Sequence, residues 1–161
     1  MEQKIEDEFL KVVKQHERII YKVCYLYTTK SASLNDLYQE SLLNIWKAFP
    51  KFRYECKIST WIYRITLNTC ISFIRKEKNM PEFIGLTQEA DELVNENDEI
   101  HEMLRQLYRM INKLGQLDKS IILLYLEEKS YDEISEITGL TVTNVATKLG
   151  RIKDKLKKMK D

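Results

Sequence analysis

Residues 130–158 read SYDEISEITGLTVTNVATKLGRIKDKLKK and predict two helices joined by a sharp turn. Ser130 and Glu133 have the spacing of a capping box, in which each side chain bonds the other residue's backbone N–H. Gly139 stands where the chain needs a left-handed residue to turn, and Thr141 can cap the second helix. The segment therefore predicts a helix-turn-helix.

The second helix of this pair has two different faces. Its apolar positions are spaced by threes and fours and predict a buried stripe of Val142, Val145, Leu149, Ile152 and Leu156. The opposite face carries short polar groups followed by cations, namely Thr143, Asn144, Thr147, Lys148 and Arg151. Such a helix suits the DNA major groove, where its front residues contact base edges and its cations contact phosphates. An ordinary helical hairpin with a solvated basic face stays open as the alternative.

Charge is unevenly distributed along the chain of 161 residues, whose net charge is only +1. Residues 51–78 carry net +5, residues 79–140 net −9 and residues 141–161 net +5. Two basic segments therefore flank an acidic middle. With only 4 Gly and 2 Pro, the composition argues against a turn-rich all-β protein. No apolar run approaches the ~18 residues that a membrane-spanning helix needs, so we expect no direct membrane insertion.

Apolar periodicity predicts further helices before and after the acidic middle. Residues 5–27 form one amphipathic helix. A second helix is capped at Ser33 and ends at Pro50, and a third is capped at Ser59 and runs to about Lys78.

The acidic stretch itself has the composition of a linker. Residues 79–99 contain seven acidic residues and no Lys or Arg, and helical period returns at Ile100. The sequence therefore predicts an all-α protein with two small helical domains. A three- to four-helix bundle occupies residues 1–78, and the acidic linker joins it to a helix-turn-helix domain in residues 100–161.

The basic segment of residues 51–78 mixes cations with aromatic side chains. Cations follow phosphates, and exposed rings stack on unpaired bases, so this segment is typical of single-strand binding. Phe52 and Tyr54 lie in a predicted loop and are the better candidates for exposure, whereas Trp61 and Phe73 are expected in the core. From residue types alone, single-strand binding and a merely solvated basic surface remain equal alternatives.

Both halves of the chain resemble bacterial sigma factors of the extracytoplasmic-function group, within the sigma-70 family. DLYQESLLNIWKAFPKF (36–52) and STWIYRITLNTCISFIRKEK (59–78) are similar to the family's region 2. LGQLDKSIILLYLEEKSYDEISEITGLTVTNVATKLGRIKDKLKK (114–158) is similar to its region 4. The resemblance implies a non-catalytic subunit, without cofactors, that directs core RNA polymerase to promoters.

The resemblance also implies a role for particular residues. One face of the second helix would contact the beta-prime clamp helices of the polymerase through Asp36, Gln39, Glu40, Leu43 and Asn44. Phe52 and Asn68 match positions of the pocket that captures a flipped base of the −10 element. The wider −10 contact set is Phe52, Arg53, Tyr54, Lys57, Tyr63, Arg64, Asn68, Arg75 and Lys76. The −35 duplex would meet Thr141, Thr143, Asn144, Thr147, Lys148 and Arg151.

Further partners follow from the same resemblance. The family's members also contact the polymerase beta flap, and many are held inactive by an anti-sigma factor that is frequently linked to the membrane. We therefore expect a cytoplasmic protein that binds duplex and single-stranded promoter DNA. An anti-sigma factor would hold it near the membrane.

Two other classes of protein were weighed. An enzyme or metalloprotein has little support, because His16 and His101 are the only histidines and the pair Asp98 and His101 lacks a matching second motif. The three cysteines are widely separated, which suits free thiols rather than a zinc site. The second class is an autonomous helix-turn-helix regulator with an N-terminal sensing or dimerisation bundle. The aromatic and basic segment argues against it, because a repressor does not need single-strand binding.

Overall fold

A computed structural model describes residues 2–76 and 98–160, with side chains in the second segment from Glu102 onward. The chain forms two compact units, Met1–Phe83 and Ile84–Asp161, and each is described by itself. Within the described ranges the secondary structure is helical and contains no strand, which confirms the predicted all-α class with two helical domains. The acidic linker predicted at 79–99 lies almost entirely outside the described residues.

The described part of the N-terminal unit holds α1 (Glu2–Leu26), α2 (Leu34–Ala48), a short 3-10 turn (Phe49–Lys51) and α3 (Ile58–Lys76). The three α-helices pack against one another in every pairing. Their shared core consists of side chains with no solvent exposure, among them Ile20, Val23, Cys24, Leu37, Ile45, Ile62 and Cys70. The Cys70 thiol donates to the Cys24 sulfur at 3.9 Å, and no disulfide joins these two cysteines.

The helix ends in this unit test the sequence predictions directly. Ser33 is the N-cap of α2, and its hydroxyl accepts a hydrogen bond from the Asp36 backbone N–H at 3.1 Å. The prediction that Ser59 caps α3 is wrong. The helix already begins at Ile58, because the Trp61 N–H bonds the Lys57 carbonyl at 3.1 Å and closes the first turn there.

The C-terminal unit holds, in its described part, α4 (Asp98–Asn112), α5 (Gln116–Leu126), α6 (Tyr131–Thr138) and α7 (Val142–Lys160). Helix α7 packs against each of the other three. The core side chains come from all four helices and from the turn between α4 and α5. They include Ile111, Leu114, Ile121, Leu124, Ile134, Ile137, Val145, Leu149 and Ile152.

The helix-turn-helix is confirmed at the level of its hydrogen bonds. The Ser130 hydroxyl accepts from the Glu133 N–H at 3.1 Å, while the Glu133 carboxylate accepts from the Ser130 N–H at 3.4 Å. Gly139 ends α6 in the left-handed conformation at φ 81°. The Thr141 hydroxyl then accepts from the Asn144 N–H at 3.1 Å. These contacts fix where α7 begins.

The buried stripe of α7 is shorter than its periodicity predicts. Val145, Leu149 and Ile152 are buried, but Val142 is 41% exposed. Val142 is the first residue of the helix and lies ahead of the part that packs in the core, so its apolar side chain stays in solvent.

Candidate nucleic-acid interface

An aromatic cluster lies between the 3-10 turn and α3. The ring centroid of Phe52 is 4.6 Å from that of Tyr54 and 4.6 Å from that of Trp61. Phe49, buried beneath them, lies 6.3 Å from Trp61. Phe52 is half-buried, while Tyr54 is 70% exposed. Tyr54 also has a left-handed backbone at φ 58°, which holds this loop away from a helical path.

A cavity of about 330 Å³ opens along the groove between α2 and α3. Its α2 wall consists of Glu40, Asn44 and Ala48. Its α3 wall consists of Ile65, Asn68, Thr69, Ser72, Phe73 and Lys76. The volume is at the small end of ligand pockets, about 300 to 1,000 Å³, and an apolar floor with a few polar groups at the edge is typical of such sites.

Asn68, the residue expected to read a base, lies on this cavity and is exposed. Glu40 and Asn44 were predicted as polymerase contacts, but the structure places both on the cavity wall, half-buried. The Asn44 amide donates to the Thr69 hydroxyl at 2.9 Å, which ties α2 to α3 at this point. Thr69 in turn donates to the Ile65 carbonyl at 2.7 Å.

The remaining candidates in the N-terminal unit divide by exposure. Arg53, Lys57, Arg75 and Lys76 are exposed, and Arg64 is half-buried. Tyr63 is only 3% exposed, so its prediction as a DNA contact is wrong. Tyr63 lies beside Ile62 on the part of α3 that faces the bundle core. The apolar periodicity of α3 did not show which face of the helix is buried.

The outer part of α2 exposes the other residues that were expected to contact the polymerase. Asp36 and Gln39 are exposed, and Leu43 is 44% exposed although it is a large apolar side chain. Trp46, one turn further, is 40% exposed and meets the ring of Phe9 from α1 at 4.9 Å.

The exposed face of α7 presents the residues expected for duplex binding. Thr141, Thr143, Asn144, Thr147 and Arg151 are all exposed. Lys148, the remaining member of the set, is half-buried. The Thr147 hydroxyl donates to the Thr143 carbonyl at 3.0 Å, a hydrogen bond within the helix.

Two cations of α7 are committed to the protein itself. The Lys153 ammonium donates to the Tyr125 hydroxyl at 3.0 Å, and Lys155 lies 4.0 Å from Asp118. Both contacts join α7 to α5. The hydrogen bond with Tyr125 raises the pKa of Lys153. The sequence showed only a run of cations in this helix. It did not distinguish Lys153 and Lys155, which contact α5, from the cations that remain available to DNA.

Comparison with known proteins agrees with this geometry. A family described as Sigma-70 region 2 matches residues 12–80, and one described as Sigma-70, region 4 matches residues 104–156. The ECF RNA polymerase sigma factor SigW of Bacillus subtilis is 30% identical, over 95% of this chain and 89% of SigW. The chain belongs to the extracytoplasmic-function sigma factors.

Other known proteins are similar to this chain over most of their length. The RNA polymerase sigma factor SigV of Bacillus subtilis is 28% identical, over 86% of this chain and 82% of SigV. The fold matches CnrH, solved in complex with the cytosolic domain of CnrY, with a TM-score of 0.69 at 20% identity over 96% of this chain and 88% of CnrH. It also matches RpoE of Bartonella quintana, solved with the anti-sigma factor NepR, with a TM-score of 0.66 and 18% identity. This match covers 98% of this chain and 96% of RpoE.

Family membership establishes the general function. The protein is a sigma factor for promoter-specific initiation of transcription, with RNA polymerase and promoter DNA as partners. The autonomous regulator is not favoured, because regions 2 and 4 both match in the family's order.

Two features of the structure bear on the other classes of protein. Within the part of the chain that the structure describes, no group of three metal-ligating side chains forms. The side chains of Asp98 and His101, weighed as half of a metal site, lie outside the described residues. No helix in the described ranges is both long and apolar enough to cross a membrane.

Proposed function

We propose that the N-terminal unit captures an unpaired base of the −10 element in the cavity between α2 and α3. The observation that carries this proposal is the position of Asn68, which is exposed at the edge of the cavity and offers both a donor and an acceptor. Extruding a base from the duplex costs a few kcal/mol, and hydrogen bonds and apolar contacts in a pocket offset that cost. Capture of the base would therefore drive local melting.

The aromatic cluster and nearby cations serve the same strand. Phe52 and Tyr54 offer ring surfaces for a neighbouring base, and stacking contributes about 1 to 3 kcal/mol per base. The exposed cations Arg53, Lys57, Arg75 and Lys76 bind the phosphates on either side. Arg64 is half-buried and lies one turn before Asn68, so we assign it to the rim of the site.

The C-terminal unit reads the −35 duplex with α7. The polar groups at the front of the helix, Thr143, Asn144 and Thr147, face base edges, while the cations Lys148 and Arg151 follow the phosphate backbone. Thr141 holds the helix start. Each unit binds weakly alone, and the polymerase joins the two contacts so that the second becomes intramolecular.

Contacts with proteins are assigned mainly to α2 and to the C-terminal unit. We assign Asp36, Gln39, Glu40, Leu43 and Asn44 to the beta-prime clamp helices, and the C-terminal unit to the beta flap. Glu40 and Asn44 also line the cavity, so they lie where the two surfaces meet. We also propose that an anti-sigma factor regulates this protein, since similar folds are known in complexes with CnrY and NepR. The chain would act in the cytoplasm, without catalysis or a cofactor, through domains 1–78 and 100–161 and a linker at 79–99.

The experiment is run-off transcription with core RNA polymerase on genomic fragments. Core plus the protein should start RNA at a small set of promoters sharing −10 and −35 sequences, whereas core alone should not. A set of start sites with a shared −35 sequence but no shared −10 sequence would contradict base capture. The controls are core with no sigma factor and core with the housekeeping sigma factor.

A further inference from the structure

The fold brings two cysteines of the N-terminal unit into contact, although they lie 46 positions apart. Cys24 in α1 and Cys70 in α3 have no solvent exposure, and their sulfur atoms are 3.9 Å apart. The Cys70 thiol donates its proton toward the Cys24 sulfur, and the Ser41 hydroxyl oxygen lies 3.6 Å from the same sulfur. Neither thiol lines the cavity between α2 and α3 or belongs to a surface assigned to DNA or polymerase. The pair therefore has no part in the function proposed above.

The hydrogen bonds around this pair favour Cys24 as the reacting thiol. The nucleophile in thiol chemistry is the thiolate, so reactivity depends on how readily the thiol loses its proton. The hydrogen bond from Cys70 lowers the pKa of Cys24, burial opposes this by raising it, and the hydrogen bond with Ser41 lowers it further. The net direction is downward. A second thiol 3.9 Å away is then in place to react with an oxidised form of Cys24.

We infer that Cys24 and Cys70 form a redox modification site, at which a peroxide converts the two thiols into a disulfide that joins α1 to α3. The Cys24 thiolate attacks one oxygen of hydrogen peroxide and becomes a sulfenic acid, while the other oxygen leaves as hydroxide. The sulfur of Cys70 then displaces hydroxide from the sulfenic acid and closes the S–S bond. In total the two thiols lose two electrons and two protons, and the peroxide is reduced to two water molecules.

The disulfide would stabilise the N-terminal unit. Its formation brings the two sulfur atoms from 3.9 Å to about 2 Å, and because both are buried the reaction proceeds through transient opening of the bundle. The closed loop spans all of α2, so the cross-link restricts the unfolded chain far more than the folded one. The modified protein would stay folded under conditions that oxidise thiols, and cellular reductants would reverse the change.

The first test maps which cysteines pair when the full chain is treated with hydrogen peroxide. Trypsin places each cysteine on its own peptide, residues 23–30, 54–57 and 65–75, so mass spectrometry without reduction identifies every pair. In the folded chain, peptides 23–30 and 65–75 should be joined at least about tenfold more often than any pair that includes Cys56. In the chain unfolded in urea the preference should reverse. The loop from Cys56 to Cys70 is shorter there and should form about six times as often as the loop from Cys24 to Cys70.

The second test compares the melting temperatures of the oxidised and the reduced full chain. Both tryptophans, Trp46 and Trp61, lie in the N-terminal unit, so their fluorescence follows the melting of that unit. Oxidation should raise the melting temperature by at least about 5 °C, and a dithiol reductant should return it to the starting value. Cys56→Ala is the matched control and should keep both the cross-link and the shift, whereas Cys24→Ala and Cys70→Ala should each abolish both.

Three results overturn the inference. The first is a folded chain in which Cys56 pairs as often as Cys24 and Cys70 pair with each other. The second is a folded chain that keeps its thiols under peroxide while the urea-unfolded chain is cross-linked, because the pair would then be inert in the fold. The third is an oxidised chain that melts no higher than the reduced one. The last comparison uses one chain in two redox states, so it does not depend on whether a cysteine variant folds.

Discussion

The ammonium of Lys153 lies 3.0 Å from the hydroxyl oxygen of Tyr125 and 4.2 Å from the centroid of its ring. The contact joins the middle of α7 to α5, whereas the residues assigned to DNA lie nearer the start of α7. A cation that would otherwise count among the DNA contacts therefore holds the helix in position. Recognition by α7 depends on this contact as well as on the side chains that meet DNA.

Replacing Lys153 should weaken the C-terminal unit in a pH-dependent way. The hydrogen bond from Lys153 to Tyr125 raises the lysine pKa, so the folded state favours the charged form. Its contribution is fully present below the unfolded pKa of about 10.4 and is lost as pH rises through the higher folded value. Lys153→Met should lower the melting temperature by a constant amount through neutral pH and by less at strongly alkaline pH.

A double-mutant cycle with Tyr125→Phe checks that this effect comes from the contact. The double variant should melt close to either single variant, because each change removes the same hydrogen bond. Lys157→Met, an exposed lysine on the same helix, is the matched control and should not shift the melting temperature. Additive effects of Lys153→Met and Tyr125→Phe would show that the two side chains are not coupled.

Two glycines of the helix-turn-helix should respond oppositely to the same substitution. A Cβ added at Gly139 or at Gly150 would meet no atom within 4 Å, so neither change creates a clash. Gly150 lies inside α7, and Gly150→Ala should raise the free energy of unfolding by about 1 kcal/mol. Gly139 has φ 81°, and Gly139→Ala should lower it by about 1 to 2 kcal/mol.

Urea unfolding of the two glycine variants measures whether each substitution raises or lowers the free energy of unfolding. Each variant serves as the control for the other, since composition and helix-turn-helix location are the same. Stabilisation by Gly139→Ala would contradict the requirement for a left-handed residue at the turn. If Gly150→Ala raised stability but weakened −35 binding, Gly150 would instead be needed for close approach to DNA.

The free protein should be a poor DNA binder. Its net charge of +1 leaves little sequence-independent attraction to phosphates, although two basic segments are present. At physiological salt we expect fluorescence anisotropy to show promoter binding by holoenzyme and almost none by the isolated chain. Tight, sequence-specific binding by the isolated chain would contradict the account in which polymerase joins two weak contacts.

Charge reversal on α2 should act on assembly and not on melting. Asp36 is exposed in the first turn of α2, and Asp36→Arg should lower affinity for core polymerase at least about fivefold through charge mismatch. Asp132→Arg changes an exposed acid in the first turn of α6 and is the matched control for lost helix-dipole stabilisation. Equal losses of core binding in both variants would indicate destabilisation instead of a contact.

The sequence predicted local features, such as helix caps and turns, better than it predicted which side chains are buried when the helices pack. The capping box at Ser130 and the left-handed Gly139 follow from local hydrogen bonding and backbone sterics, and both are confirmed. The burial of Tyr63 was not predicted, because exposure on a helix with several apolar faces is set by the elements packed against it.

Other features needed the folded structure altogether. The hydrogen bond from the Asn44 amide to the Thr69 hydroxyl joins residues 25 positions apart. The burial of Lys119 at 0% exposure has no signal in the periodicity, which treats lysine as a surface residue. The signal that did exist for the cavity was the small side chains Ala48 and Ser72 on facing helices, spaced to share one groove with Asn68.

The most direct test of base capture places a fluorescent adenine analogue in the −10 non-template strand and follows its emission when holoenzyme is added. With wild-type protein the emission should rise as the base leaves the stack, and Asn68→Ala should reduce the rise by roughly tenfold while core affinity stays unchanged. An undiminished rise with Asn68→Ala, or a loss of core binding in its place, would contradict capture of a −10 base beside Asn68.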